Sequence, residues 1–237
     1  SRSGGGPSLR RALSAASGIA IVAPDSLATL VAPTPATFTL SAVPPWPTQL
    51  GGISLPVTDS TGATHLAPLL FVSPEQINFQ VPAGIALGEA ALAVVTGGAA
   101  TEIGGMRVEA VAPALFMISQ ARSIPAATAI TTGPDGSQVG MPVFLCDRVA
   151  TGGECYLSGL PVSSAGDHPI YVSFFATGFR GASTENVTCT IDGIPVPVVY
   201  AGPQGTPGLD QINVRLVPEL KYGRSDGEVV TIRINGV

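Results

Sequence analysis

The chain has 237 residues, of which 11% are charged, and its net charge is −5. An ordinary domain is about one-quarter charged, so Ser, Thr, Gly, Ala and Pro must build most of this surface. The acidic balance argues against nucleic acid, which needs a clustered basic patch, and Arg10-Arg11 is the only adjacent basic pair. No run of about 18 apolar residues is present, so no membrane-spanning helix is predicted.

The length suits two domains of about 110 residues each. The 29 glycines and 22 prolines are spread along the chain, as short strands joined by tight turns require. Residues 1–17 read as an N-terminal arm. Ser1 reads as a processed or trimmed terminus, so any export signal has already been removed or was never included. Ser1 to Pro7 is Gly/Ser-rich, and Leu9 to Ala16 suits one helical turn or an extended segment. Such an arm makes few internal apolar contacts to offset the roughly 1–2 kcal/mol per residue lost on ordering its backbone. Leu9, Arg10, Arg11 and Leu13 are therefore expected to touch a neighbouring subunit.

Strands are predicted at 19–22, 27–31, 36–43, 53–57, 68–72, 76–81, 90–96 and 106–111, giving a first domain over 18–118. Pro44-Pro45-Trp46-Pro47 is a rigid connector holding the sole tryptophan, and 58–62 and 73–75 carry turn chemistry. The junction is placed in 113–125. The second domain, 119–237, begins its strands near Ala126 and turns at 133–137. A cysteine hairpin inserted at 142–160 follows, then strands at 170–178, 187–191, 196–200, 211–216 and 229–234. About seven short strands per half, with turn signals every 8–12 residues, predict an all-β fold of two tandem immunoglobulin-like β-sandwiches.

An internal repeat supports the tandem reading. Gln76-Ile77-Asn78-Phe79-Gln80-Val81-Pro82 returns as Gln211-Ile212-Asn213-Val214-Arg215-Leu216-Val217-Pro218. Both alternate polar and apolar residues, the period of a strand with one buried face. The flanks suggest further pairings, of 51–53 with 192–194 and of 89–95 with 228–234. Gln76, Asn78, Gln211 and Asn213 project away from the core, either to satisfy backbone groups nearby or as a polar strip for a glycan or partner. Their recurrence at equivalent places favours structure.

At these residues the chain resembles an uncharacterised C-terminal domain family abundant in Solibacter and other acidobacteria. The matching stretches are 14–17, Ala67 to Pro82, Ala112 to Phe116, Phe175 to Phe179, Ile191 to Pro195, Tyr200 to Pro203 and Gly208 to Val214, in the family's order. The resemblance implies secreted or surface proteins with halves similar to IPT/TIG-type immunoglobulin-like domains. It implies no catalytic activity. The family usually ends long multidomain chains, whereas here it fills nearly the whole sequence, and the cysteine hairpin looks inserted.

Cys146 and Cys155 flank a polar, Gly-Gly-containing stretch and suit a disulfide across a hairpin. A metal site is the rival reading, but nearby ligands to complete one are missing. Cys189 falls on the apolar face of its strand and reads as a small buried hydrophobe. His65 and His168 read as turn histidines, and Asp167-His168 has no nucleophile elbow to serve. The scattered turn aspartates form no Asp-x-Asp group, so neither calcium nor any other metal or cofactor is expected. Asn186-Val187-Thr188 matches a glycosylation acceptor pattern.

These readings point to a non-enzymatic, secreted or cell-surface protein. The first expectation is a structural subunit of a filament, pilus or sheath that associates with itself. The alternative is a monomeric adhesin or polysaccharide-binding module, for which Trp46 is the one candidate aromatic platform.

Overall fold

The computed structural model describes residues 10–121, 123–133, 135–147, 156–159, 169–220 and 229–234. These residues are all-β, with one 3-10 turn at Thr184–Asn186. The chain divides into two compact units. Unit 1 comprises residues up to Ala114 together with Thr177–Arg180 and Gly205–Leu209; unit 2 comprises the rest. The division between Ala114 and Leu115 falls in the stretch 113–125 that the sequence singles out. The two later segments of unit 1 carry no such signal.

Unit 1 contains β1 (Arg10–Ser14), β2 (Ile21–Val22), β3 (Leu27–Val31), β4 (Leu40–Ser41), β5 (Gln49–Leu50) and β6 (Ile53–Ser54). It continues with β7 (Pro56–Thr58), β8 (Thr64–Leu66), β9 (Leu69–Val72), β10 (Gln76–Gln80), β11 (Gly88–Thr96) and β12 (Ala99–Val108). One side orders its strands β1-β3-β10-β9, and the other pairs β12 with β11 and β11 with β6 and β7. In chain order these are the A-B-E-D and G-F-C strands of an immunoglobulin-like sandwich. Inward side chains of both sheets fill one core, including Leu30, Ile77 and Phe79 from the first and Val57, Leu92 and Met106 from the second.

The stretch expected as an arm is corrected in part: residues 10–14 form β1, while Leu9 and the residues before it lie outside the described residues. Arg10 and Arg11 pair in parallel with Gly104 and Gly105 of β12, and Ala12 to Ser14 pair antiparallel with β3. Ala12 and Ser14 are buried, and such small side chains give little apolar signal in the sequence. The same close approach explains Gly104, where a Cβ would sit against the Arg10 carbonyl oxygen. Its glycines also hide β12, predicted only from 106 onward, behind a break in the alternation.

Thr177 completes unit 1 from the far side of the sequence. It is fully buried, its hydroxyl accepts a bond from the Leu27 amide at 2.9 Å, and it donates to the Gly208 carbonyl at 2.7 Å.

The remaining strands begin with β13 (Ala114–Leu115), β14 (Met117–Ser119), β15 (Ile124–Pro125), β16 (Ala127–Thr132), β17 (Gln138–Met141), β18 (Phe144–Asp147) and β19 (Tyr156–Gly159). The last six are β20 (Ile170–Thr177), β21 (Val187–Ile191), β22 (Ile194–Val196), β23 (Val198–Pro203), β24 (Asp210–Arg215) and β25 (Val230–Ile234). One sheet runs β17-β16-β20-β24-β23 and the other β22-β21-β25. The first contains the A-B-E-D order again, as β16-β20-β24-β23, and the second the C and F strands, β21 and β25.

The repeated motif occupies the same place twice: β10 lies between β3 and β9, and β24 between β20 and β23. The flanking pairings need correction. The turn at Gly51-Gly52 precedes the strand that pairs with β11, whereas the turn at Asp192-Gly193 follows the strand that pairs with β25. The counterpart of Asp192 is therefore Asp59, in the turn between β7 and β8. In β11 the buried positions are Ala90, Leu92 and Val94, while in β25 Ile234 is buried. Pairing 89–95 with 228–234 residue by residue thus sets inward positions on outward ones.

Candidate functional site

The polar strip is built alike in both units. The Gln76 side-chain amide donates to the Asn78 carbonyl oxygen at 2.6 Å, and Gln211 donates to Asn213 at the same distance. Residues i and i+2 of a strand share one face, and glutamine is long enough to reach along it. All four side chains are half-buried. They satisfy each other along the strand, where the sequence suggested neighbouring backbone groups. Each pair still presents amide groups to the outer face of its A-B-E-D sheet.

A second repeated device uses aspartate. The Asp59 side chain is 2% exposed. Its Oδ1 accepts from the Thr61 hydroxyl at 2.6 Å and from the amides of Thr61 and Ala63 at 2.9 and 3.1 Å. Oδ2 accepts from the Ala86 amide at 3.0 Å and lies 3.1 Å from Nε2 of His65. Asp192 does the equivalent in unit 2, accepting from the Val229 amide at 2.8 Å. In both units an aspartate at the turn after the C strand ties down the backbone just before the F strand. The sequence marks these residues as turn aspartates, but the second contact, 27 residues away for Asp59, has no local signature.

The Thr61 hydroxyl, the Ala86 and Thr61 amides and His65 hold the Asp59 carboxyl well below the usual range, against an opposing effect of burial. A carboxyl lowered on folding stabilises the fold fully above its ordinary value near 4, and that contribution fades as pH falls through and below it. Asp59→Ala is expected to lower the melting temperature by roughly 5 °C at pH 7, with the gap to wild type narrowing below about pH 4. Thermal unfolding followed at pH 7 and pH 3 checks both.

The residues expected at a subunit contact are placed as follows. Arg10 and Arg11 are exposed and Leu13 is half-buried, all on β1. Arg11 bonds Glu89 at 2.5 Å, and Arg107 bonds Glu109 at 2.6 Å while lying 3.9 Å from Glu89. Exposed pairs of this kind contribute about 0–1 kcal/mol each, so the row shapes the charge pattern of the surface more than its stability. Trp46 is half-buried. Among the described residues no group of three or more His, Cys, Asp or Glu gathers to hold a metal.

Cys146 falls in β18, but Cys155 and His168 lie outside the described residues, as does the geometry of the expected disulfide. Cys189 is a buried free thiol, 3% exposed, and burial pushes its pKa up to about 11. The thiolate is the reactive species, so native protein at pH 8 is expected to leave Cys189 unmodified by iodoacetamide. Labelling should appear only after denaturation, as peptide mass spectrometry would show.

No family model and no curated protein matches the chain, so the family resemblance rests on the sequence motifs. A solved tandem of titin domains I9–I11 aligns with 92% of this chain and 92% of its own length, at 10% identity and a TM-score of 0.19. So loose an alignment carries no argument; the fold assignment rests on the strand order and the shared core. Among the described residues no helix is long and apolar enough to cross a membrane.

Proposed function

We propose that the chain is a structural subunit of an extracellular or cell-surface polymer, a filament, pilus or sheath assembled from copies of itself. The observation that carries this reading is the surface. It is lightly charged, at 11% of residues, yet both units leave large apolar side chains in the open. Val31, Val43, Leu66 and Leu87 of unit 1 and Val139 and Val199 of unit 2 are about half exposed or more. Apolar surface with little charge around it favours association and offers weak protection against it. The reading assigns no catalytic residue, cofactor or metal, and it keeps the resemblance to the acidobacterial family, with its surface location.

The N-terminal residues supply one contact. Since β1 is part of unit 1, the segment that reaches a neighbour is the stretch up to Leu9, with Arg10, Arg11 and Leu13 at its base. Deleting residues 1–9 is expected to leave folded protein, judged by circular dichroism, that no longer assembles in sedimentation. Assembly equal to that of the full chain would remove the arm from the account.

The duplicated amide strip favours a second reading, a monomeric adhesin or polysaccharide-binding module, because side-chain amides are suited to sugar hydroxyls. Asn78→Ala with Asn213→Ala would abolish glycan retention under that reading and leave assembly unchanged under the first.

A further inference from the structure

The D strands of the two units carry the same irregularity at the same place. In unit 1, Phe71 of β9 pairs with Asn78 and Leu69 with Phe79, so Leu70 is an extra residue between them. In unit 2, Tyr200 of β23 pairs with Asn213 and Val198 with Val214, which makes Val199 the extra residue. Each is a β-bulge, a feature that re-aims side chains and gathers at binding sites. Both bulges sit beside the asparagine of a Gln-Asn pair. Residues 69–71 and 198–200 lie outside the repeated motif, so this likeness belongs to the structure.

The bulge brings an aromatic side chain to each amide pair. Val72 and Ala201, next in sequence, are buried. Phe71 and Tyr200 therefore take the outer face, with Asn78 and Asn213. Phe71 is half-buried and Tyr200 is 38% exposed. The Tyr200 ring lies over Gly202, where a Cβ would stand 3.1 Å from its Oη. Its hydroxyl donates to the Pro203 carbonyl at 2.6 Å. Because Gly202 pairs with Gln211, the ring runs along the strand from Asn213 towards Gln211. On the other side of each asparagine stands a hydroxyl residue of the B strand, Thr29 opposite Asn78 and Ser173 opposite Asn213. Each unit thus sets a hydroxyl, a Gln-Asn pair and an aromatic ring side by side on one face.

The amide pair is an ordered donor and acceptor. With Gln76 bonded to Asn78 and Gln211 to Asn213, each asparagine keeps its NH2 donors and each glutamine its carbonyl oxygen for a ligand. Neighbouring hydroxyls of a sugar ring match such a mixed pair, since each both donates and accepts. A pyranose with equatorial hydroxyls also turns C–H groups to its two faces, and these pack on the apolar body of an aromatic ring. We propose that this face of each unit is a binding site for a neutral, β-linked glycan. Phe71 or Tyr200 is the stacking platform, and the Gln-Asn pair with Thr29 or Ser173 supplies the polar contacts that fix the orientation. The site rests on the glycan-binding reading, adds contact residues to it, and does not require the chain to be monomeric.

Retention of the folded full chain on cellulose and on chitin particles is the first readout. Phe71→Ala with Tyr200→Ala is expected to weaken retention roughly tenfold or more. Tyr200→Phe, which keeps the ring and drops the bond to Pro203, should bind as wild type does. A second readout needs no variant. On titrating wild type with cellopentaose or chitopentaose, the side-chain amide signals of Asn78 and Asn213 should shift in NMR spectra, and that of exposed Asn186 should not. If wild type is retained, the folded double variant is retained equally and neither asparagine shifts, the site is overturned and glycan binding lies elsewhere on the chain. If wild type is retained on neither polysaccharide and no amide shifts, the site and the glycan-binding reading fall together. A loss in Tyr200→Phe equal to that in Tyr200→Ala would give Tyr200 a structural role and overturn its stacking.

Discussion

Replacing Phe79 by alanine is expected to remove about 3–5 kcal/mol from the stability of unit 1, the range for emptying a buried phenylalanine site. Phe79 is fully buried and among the largest such side chains. It sits on β10, opposite Ala28 of β3 and Leu69 of β9. Its small neighbour Ala28 has no side chain that can swing in, so the cavity stays open and the cost should lie toward the upper end. Trp46 is the only tryptophan and belongs to unit 1, so its fluorescence during urea unfolding reports this loss directly. The counterpart in unit 2 is Val214, also fully buried. Val214→Ala should cost less, because fewer buried atoms are lost.

Gly178→Ala is expected to be nearly as damaging, although it adds only a methyl group. Gly178 has φ +90°, a conformation that side-chain-bearing residues rarely adopt, and a Cβ there would drive into the Ala112 carbonyl oxygen. The Ala112 amide donates to the Gly178 carbonyl at 2.7 Å, so the chain cannot draw back without breaking that bond. Backbone strain of this kind costs roughly 1–3 kcal/mol, and the displaced hydrogen bond adds about 1 kcal/mol. Neighbouring Thr177, which holds the Leu27 amide and the Gly208 carbonyl, would shift with it. A loss of about 3 kcal/mol in the Trp46-detected unfolding of unit 1 is the expected outcome; a loss under about 0.5 kcal/mol would refute the close approach.

The fold class was legible because β10 and β24 declare themselves by strict alternation, with Ile77 and Phe79 or Ile212 and Val214 inward, and β20 by its apolar run. Turn chemistry marks the gaps. Where the buried face is made of small residues the signal fades, which is why Ala12 and Ser14 of β1 read as an arm. Gly104-Gly105 concealed part of β12 for the same reason, and at Gly104 the close approach of the Arg10 carbonyl leaves no room for a Cβ. The Gln-Asn pairs were visible as a repeated strip, but their bonding along the strand was not, because sequence spacing does not say which partner a side chain takes. The tie from Asp59 to Ala86, and the segments Thr177–Arg180 and Gly205–Leu209 of unit 1, depend on contacts distant in sequence.

Self-assembly is the claim on which the functional account turns, and electron microscopy of the full chain, held at increasing concentration in physiological salt, tests it most directly. The account predicts ordered oligomers or filaments of a regular repeat, with sedimentation showing growth by mass action. Uniform monomers at every concentration would contradict it and leave the glycan-binding module as the better reading.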